Sequence, residues 1–249
     1  MIKLNGHIIT PTIFPDKTSQ VWKLPEDQIY TDSTNTVLWE FESEAEFMHL
    51  AQLKFLLDSY YSKTVLELPY LPYARQDKTV ENESTFALMP FVYLLNSLKF
   101  EKVKIFDPHN FTFTSGAIHN IEIEMPDFIS LLVELHAQPV YPDKGAANRY
   151  GADSLSIVCD KIREPLTGRI EGLSITGKVE PRTYLIIDDI CDGGRTFIEV
   201  AKKLYEAGAK EVHLYISHGI FSKGLEPLRE AGIKRIFTRN GEVDAKIIV

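Results

Sequence analysis

Apolar residues recur along this chain at two different spacings. From Phe47 to Tyr60 they fall at Leu50, Leu53, Phe55, Leu56 and Leu57, a pattern that predicts a helix with a wide buried face. Short β-branched runs, Lys63-Thr64-Val65-Leu66-Glu67-Leu68 and Lys102-Val103-Lys104-Ile105-Phe106, predict strands. Their alternation with helical stretches indicates an α/β fold. The fullest cycle occupies 183–217. The apolar run Thr183-Tyr184-Leu185-Ile186-Ile187 ends in Asp188-Asp189, and Ile190-Cys191-Asp192-Gly193-Gly194-Arg195-Thr196 follows. A helical segment then places Phe197, Val200, Ala201 and Leu204 on one face, Gly208 closes it, and the next strand starts at Glu211. Between Phe128 and Pro142 the chain passes into a Pro- and Gly-containing stretch, which places a domain boundary near residue 138 and gives domains 1–138 and 139–249. There is no internal repeat and no low-complexity tract.

Composition narrows the function classes. The chain has 249 residues, 44% of them hydrophobic, and no apolar stretch approaching the roughly 18 residues of a membrane span, so a globular protein without a membrane partner is expected. Two cysteines, Cys159 and Cys191, form no Cys-x-x-Cys or Cys/His cluster for zinc and fit a reducing, cytoplasmic setting. The N-terminal residues lack the pattern of a secretory signal, and the mature chain is expected to begin near Met1. A formal charge of −8 argues against gripping a nucleic-acid backbone through a basic surface. Phosphate, if bound, must be held locally by a few Lys and Arg side chains, Mg²⁺, and backbone N–H groups at loop-to-helix junctions.

The 188–196 segment supplies such a junction. In an open α/β sheet a loop of this kind lies at the carboxyl ends of the strands, where ligands bind. Its glycines and Thr196 present N–H groups and a hydroxyl to phosphate, and Asp188 and Asp189 accept hydrogen bonds from sugar hydroxyls. A helix-capping cluster beside a turn is the plainer alternative. Gly172-Leu173-Ser174-Ile175-Thr176-Gly177-Lys178 nearly spells a P-loop, but Val179 stands where Ser or Thr is required and Glu180-Pro181 follows where a helix should start, so it is read as a decoy. His7, His49, His119, His136 and His213 are given no role.

Asp188-Asp189-Ile190-Cys191-Asp192-Gly193-Gly194-Arg195-Thr196 resembles the ribose-phosphate loop shared by type I phosphoribosyltransferases and phosphoribosyl pyrophosphate synthetases. Tyr73-Ala74-Arg75-Gln76-Asp77 resembles an ATP-binding segment of the synthetases that the transferases lack. Phe14-Pro15-Asp16 resembles the synthetase segment that reaches the adenine of ATP in a neighbouring subunit. Phe106-Asp107-Pro108-His109 is similar to the synthetases' magnesium signature, Pro142-Asp143-Lys144-Gly145-Ala146-Ala147-Asn148-Arg149 to their diphosphate loop, and Asp160-Lys161-Ile162-Arg163 to the start of their catalytic flexible loop. All six occur in the family's order.

The resemblance implies two type I phosphoribosyltransferase-like domains, each a mainly parallel sheet flanked by helices. It implies transfer of the β,γ-diphosphate of ATP to the anomeric hydroxyl of a ribose 5-phosphate unit, with AMP leaving. Lys161 and Arg163 are then the catalytic cations, and Phe14, Asp16, Arg75, Gln76 and Asp77 bind ATP. Asp188, Asp189, Asp192, Gly193, Gly194, Arg195 and Thr196 bind ribose phosphate, His109 and Asp143 hold Mg²⁺, and the active form is a homo-oligomer that shares its ATP site between subunits. The departures are informative. Arg195 stands where the family usually has Gly, Lys17-Thr18 follows Asp16, Asn110-Phe111-Thr112 follows His109, and Ala146 replaces a Gly. These features and the short chain resemble the phage-type branch, some of whose members use ADP-ribose as acceptor in rebuilding NAD. A phosphoribosyltransferase and a non-catalytic regulatory relative are the alternatives; the first has no use for Arg75, Gln76 and Asp77, and retention of Lys161, Arg163 and His109 speaks against the second.

Overall fold

A computed structural model of the protein describes residues 1–22, 24, 28–30, 33–79, 84–163 and 170–243; the side chains of 161–163 and 170–172 lie outside that description. The chain forms two compact units, Met1–Met125 and Pro126–Val249.

In the first unit, β1 (Ile2–Leu4) and β2 (His7–Ile8) make an antiparallel edge, and β3 (Thr12–Ile13) and β4 (Ser19–Gln20) a separate hairpin. β5 (Asn35–Trp39), α1 (Glu46–Asp58), β6 (Thr64–Leu68), α2 (Leu88–Ser97), β7 (Lys102–Phe106), α3 (Phe111–Ala117) and β8 (Ile121–Glu124) complete it. The sheet order is β2-β1-β5-β6-β7-β8, with β5 to β8 parallel. The helix expected at 47–60 and the strands expected at 63–68 and 102–106 are α1, β6 and β7. Leu50, Leu53 and Leu57 of α1 are fully buried among Val37, Trp39, Leu66 and Ile105, whereas Phe55 faces outward. Full burial of each such side chain contributes about 1.5–3 kcal/mol, which makes this periodicity the main determinant of the helix's position.

The second unit contains α4 (Phe128–Leu135), β9 (Gln138–Tyr141), α5 (Lys144–Tyr150), β10 (Ile157–Arg163), β11 (Ile170–Thr176), β12 (Thr183–Cys191), α6 (Arg195–Glu206), β13 (Glu211–Gly219), α7 (Glu226–Glu230), β14 (Ile233–Thr238) and β15 (Gly241–Glu242). Its sheet runs β11-β10-β9-β12-β13-β14-β15; β10, β9, β12, β13 and β14 are parallel, and β11 and β15 are antiparallel edges. The pleat sends Tyr184 and Ile186 to the face covered by α6, and Leu185 and Ile187 to the face covered by α4 and α5.

Two sequence expectations are corrected. The boundary near 138 lies instead between Met125 and Pro126, because α4 lays Phe128, Leu131, Leu132 and Leu135 against Leu185, Ile187, Tyr215 and Phe237 of the second unit. β12 runs on through Cys191, so Asp188 and Asp189 lie within the last residues of a strand rather than in a loop. The near-P-loop segment is the strand β11, turned at Gly177 with φ +107°.

Candidate active site

In the first unit Arg75, Gln76, Asp77 and His109 follow the carboxyl ends of two adjacent parallel strands, β6 and β7. β6 leads into a turn in which Gln76 N–H donates to Tyr73 C=O at 2.8 Å, and Tyr73 adopts φ +62°. That turn leaves Arg75 and Gln76 exposed and Asp77 half-buried. β7 leads into Asp107, buried at φ +40°, and then into half-buried His109. Asn110 joins the two segments. Its side-chain oxygen caps α3 by accepting from Phe113 N–H at 3.0 Å, while its amide donates to Asp77 Oδ2 at 2.8 Å. Asn110 was singled out in the sequence only as a departure; it is the residue that holds Asp77 beside the His109 turn.

Phe14 and Asp16 sit on the β3–β4 hairpin. Phe14 N–H donates to Thr18 C=O at 2.8 Å, and Asp16 accepts from the backbone and hydroxyl of Thr18, which draws its carboxyl below the usual range. Gln52 of α1 anchors the hairpin through Val21 N–H and Ser19 C=O. Ile13, Phe14 and Trp22 remain exposed upon it.

In the second unit three loops leave the carboxyl ends of β9, β12 and β13. After β9, Asp143 caps α5 by accepting from Ala146 N–H at 3.0 Å, so the family's missing glycine does not remove the cap. A Cβ at Gly145 would lie 3.0 Å from Asp143 Oδ1, a tight contact with the capping oxygen. Lys144 pairs with Asp160 of β10 at 2.5 Å. Lys161 and Arg163 continue β10, facing Leu173 and Ile170 of β11 in register, and their side chains lie outside the described residues.

The two acids near the end of β12 have different surroundings. Asp189 is buried, and Arg149 Nη1 from the last turn of α5 lies 2.8 Å from its Oδ2. Asp188 accepts from the Asp189 N–H at 3.0 Å. Burial, and then the neighbouring charge of Asp189, push the Asp188 carboxyl well above the usual carboxylate range. Sequence reasoning gave both acids one role and overlooked Arg149, which lay inside the diphosphate-loop segment without an assignment.

Beyond Asp192, which is exposed, Gly194 forms the N-cap of α6 with φ +74°, a conformation that favours glycine, and a Cβ there would lie 2.9 Å from Leu228 Cδ2. The helix has no side-chain cap from its N-cap residue, Gly194, and no acid in its first turn. Its opening N–H groups, at Arg195 and half-buried Thr196, therefore face the site with no acid of the first turn competing for them, and the helix dipole favours an anion. The Arg195 side chain is 88% exposed and its Nε lies 2.9 Å from Glu199 Oε1 on the same helix.

Among the described residues no cluster of three or more His, Cys, Asp and Glu side chains stands ready for a metal. Asp143 already spends part of one oxygen on its cap, and a carboxylate keeps further lone pairs for a cation. Such a sparse set fits Mg²⁺, which takes one or two carboxylates and completes its shell with water and substrate phosphate.

Residues 142–249 match the phosphoribosyl transferase domain family. The ribose-phosphate pyrophosphokinase of Sulfolobus acidocaldarius is 25% identical over 244 residues, covering 92% of this chain and 82% of that protein. The enzyme of the same name from Maricaulis maris is 29% identical over 70% of this chain and 61% of its own length, and that from Mycoplasma pneumoniae 30% identical over 62% and 50%. The last two are thus matched over less than two thirds of their length. The crystal structure of phosphoribosylpyrophosphate synthetase from Mycobacterium smegmatis superimposes with a TM-score of 0.75 at 21% identity, covering 93% of this chain and 79% of that one, a likeness of fold. The chain is thus similar along nearly its whole length to a ribose-phosphate pyrophosphokinase, and over residues 142–249 to the phosphoribosyl transferase domain family.

Proposed function

We propose that this chain transfers the β,γ-diphosphate of ATP to the 1-hydroxyl of ribose 5-phosphate, forming phosphoribosyl pyrophosphate and AMP. The observation that carries the reading is the N-terminus of α6, opened by Gly194 with no acid in its first turn and following Asp188 of β12 and Asp192 in the chain. N–H groups there suit a 5-phosphate, and the acids suit ribose hydroxyls. The sugar oxygen attacks the β-phosphorus, the bond from that phosphorus to the α,β-bridging oxygen breaks, AMP departs with the electron pair, and the hydroxyl proton passes to solvent. Negative charge on the moving diphosphate calls for preorganised cations, the role of Lys161 and Arg163. Arg75, Gln76 and Asp77 bind the nucleotide. Asp143 in the second unit and His109 in the first are the residues that would hold Mg²⁺, which would neutralise phosphate charge when bound.

A phosphoribosyltransferase shares the second domain, but pyrophosphokinase relatives align across the first unit as well. Pairing of Arg195 with Glu199 supports ribose 5-phosphate over ADP-ribose, since that guanidinium already has a carboxylate partner. The exposed hairpin residues Ile13, Phe14 and Trp22 support a homo-oligomer in which Phe14 and Asp16 complete a neighbour's ATP site. Cys159 and Cys191 are free buried thiols, which supports a reducing, cytoplasmic setting. Incubation of pure protein with ATP, Mg²⁺ and each acceptor tests the proposal. AMP and a diphosphorylated sugar are expected with ribose 5-phosphate; AMP formation with ADP-ribose alone overturns the choice of acceptor, and none with either overturns the reaction.

A further inference from the structure

The turn that follows β13 carries an exposed lysine that makes no ion pair among the described residues and lies against the loop at Gly193. The N–H groups of Ile220 and Phe221 both donate to Cys191 C=O, at 2.8 and 3.1 Å, so the turn is fastened to the end of β12. Phe221 adopts φ +47° with its ring against Gly219, and Gly224 N–H closes the turn on Phe221 C=O at 2.8 Å. This geometry sets the direction of Lys223. Its stem runs along Gly193: a Cβ built on that glycine would lie 3.5 Å from Lys223 Cε and 3.6 Å from Cδ. The aliphatic stem of this exposed lysine thus lies along the loop's backbone.

Among the described residues Lys223 makes no ion pair, although the chain carries 35 acidic against 27 Lys and Arg residues. Arg195, the other cation of this loop, is paired with Glu199 and exposed. A cation that makes no ion pair among the described residues, carried on a fastened turn and laid along the glycine that precedes the Gly194 N-cap of α6, is arranged for an anion from outside.

We propose that Lys223 binds the 5-phosphate of the acceptor, together with the N–H groups that open α6, and so sets acceptor affinity. The inference rests on reading this loop as a ribose-phosphate site. Lys223→Ala is expected to raise KM for ribose 5-phosphate about tenfold, the low end for a charged hydrogen bond because the site is open to water. KM for ATP and the melting temperature stay unchanged, Lys223→Arg retains most of the affinity, and the salt dependence of acceptor binding becomes shallower in Lys223→Ala. An unaltered KM for ribose 5-phosphate, an equal rise in both KM values, or a loss confined to kcat overturns the inference. Calorimetric titration with ribose 5-phosphate requires no turnover and separates this result from the reaction itself. Binding weakened about tenfold in Lys223→Ala upholds Lys223 even if the wild type forms no AMP, whereas a wild type that binds no ribose 5-phosphate overturns it.

Discussion

Replacing Arg149 by Leu tests whether the end of β12 is built around an ion pair or merely contains one. The Arg149 and Asp189 side chains are 12% and 4% exposed, and Nη1 and Oδ2 lie 2.8 Å apart. An exposed pair at that separation contributes about 0–1 kcal/mol, whereas removing one member of a buried pair costs about 3–5 kcal/mol, because the remaining charge is left without compensation. Burial places this pair in the second class. Asp188 adds to the cost, since its own carboxyl is already pushed up by burial and by Asp189, so two adjacent acids would share one site without a cation. At about 2–4 °C per kcal/mol for a chain of this size, the melting temperature should fall by roughly 6–20 °C. Calorimetry and urea unfolding at pH 7.5 measure this.

The sign of the pH response distinguishes a lost charge partner from lost packing. In Arg149→Leu the folded state favours a protonated carboxyl more than the unfolded chain does, so it binds more protons and gains stability as pH falls. The gap between wild type and variant should therefore narrow from pH 7.5 to pH 5. The double variant Arg149→Leu, Asp189→Leu should recover most of the loss. A loss below about 1 kcal/mol at pH 7.5, or a gap that widens as pH falls, refutes the reasoning.

Three further outcomes follow from the geometry. Gly194→Ala forces a Cβ into φ +74° and to 2.9 Å from Leu228 Cδ2, and should destabilise the protein by about 1–3 kcal/mol; a change within 0.5 kcal/mol, about the size of an ordinary surface substitution, contradicts this. His213 is buried with Nδ1 unpartnered, and burial holds its pKa below the usual value; Arg235 adds to that effect while Glu211 and Glu242 oppose it. Its stabilising contribution is complete above about pH 6.5 and is lost as pH falls through the lowered folded value, so His213→Gln should flatten the fall in unfolding free energy between about pH 6.5 and 5, and an unchanged slope counts against it. Lys161→Ala should lower turnover by about 10²–10³-fold with folding intact by circular dichroism, and comparable turnover removes Lys161 from the catalytic set.

What the sequence made legible was local. The helix at α1, the strands β6 and β7, and the β12–α6–β13 cycle each follow from apolar periodicity within a dozen or so residues, and Phe197, Val200, Ala201 and Leu204 are buried on the face their spacing predicts. The glycine pair was legible too, because Gly194 adopts a backbone conformation costly to other residues. Arg149, Asn110 and Lys223 were not. Each acts on a residue about thirty or more positions away in the chain, Asp189, Asp77 and Gly193 respectively, and only the ordering of parallel strands brings those positions together. α4 was assigned to the wrong unit for a related reason: its apolar face is visible in sequence, but not the sheet that receives it.

The two acids of β12 show how far a motif carries and where geometry must take over. As neighbours in sequence they read as one feature, yet on a strand adjacent side chains point to opposite faces. Asp189 continues the series Leu185 and Ile187 toward the face covered by α5, and α5 delivers Arg149 to it. Asp188 continues Tyr184 and Ile186, on the other face, and meets no cation among its described interactions while burial and Asp189 raise its pKa. A carboxyl in that state is stabilised as an anion by whatever positive or hydrogen-bonding group a ligand brings. Asp189 thus has its partner built into the fold, and for Asp188 the proposed function supplies one in the substrate: sugar hydroxyls and the cation accompanying a diphosphate are groups of the required kind. On that proposal the motif divides into a structural half and a ligand-facing half, and the division is set by the pleat of β12.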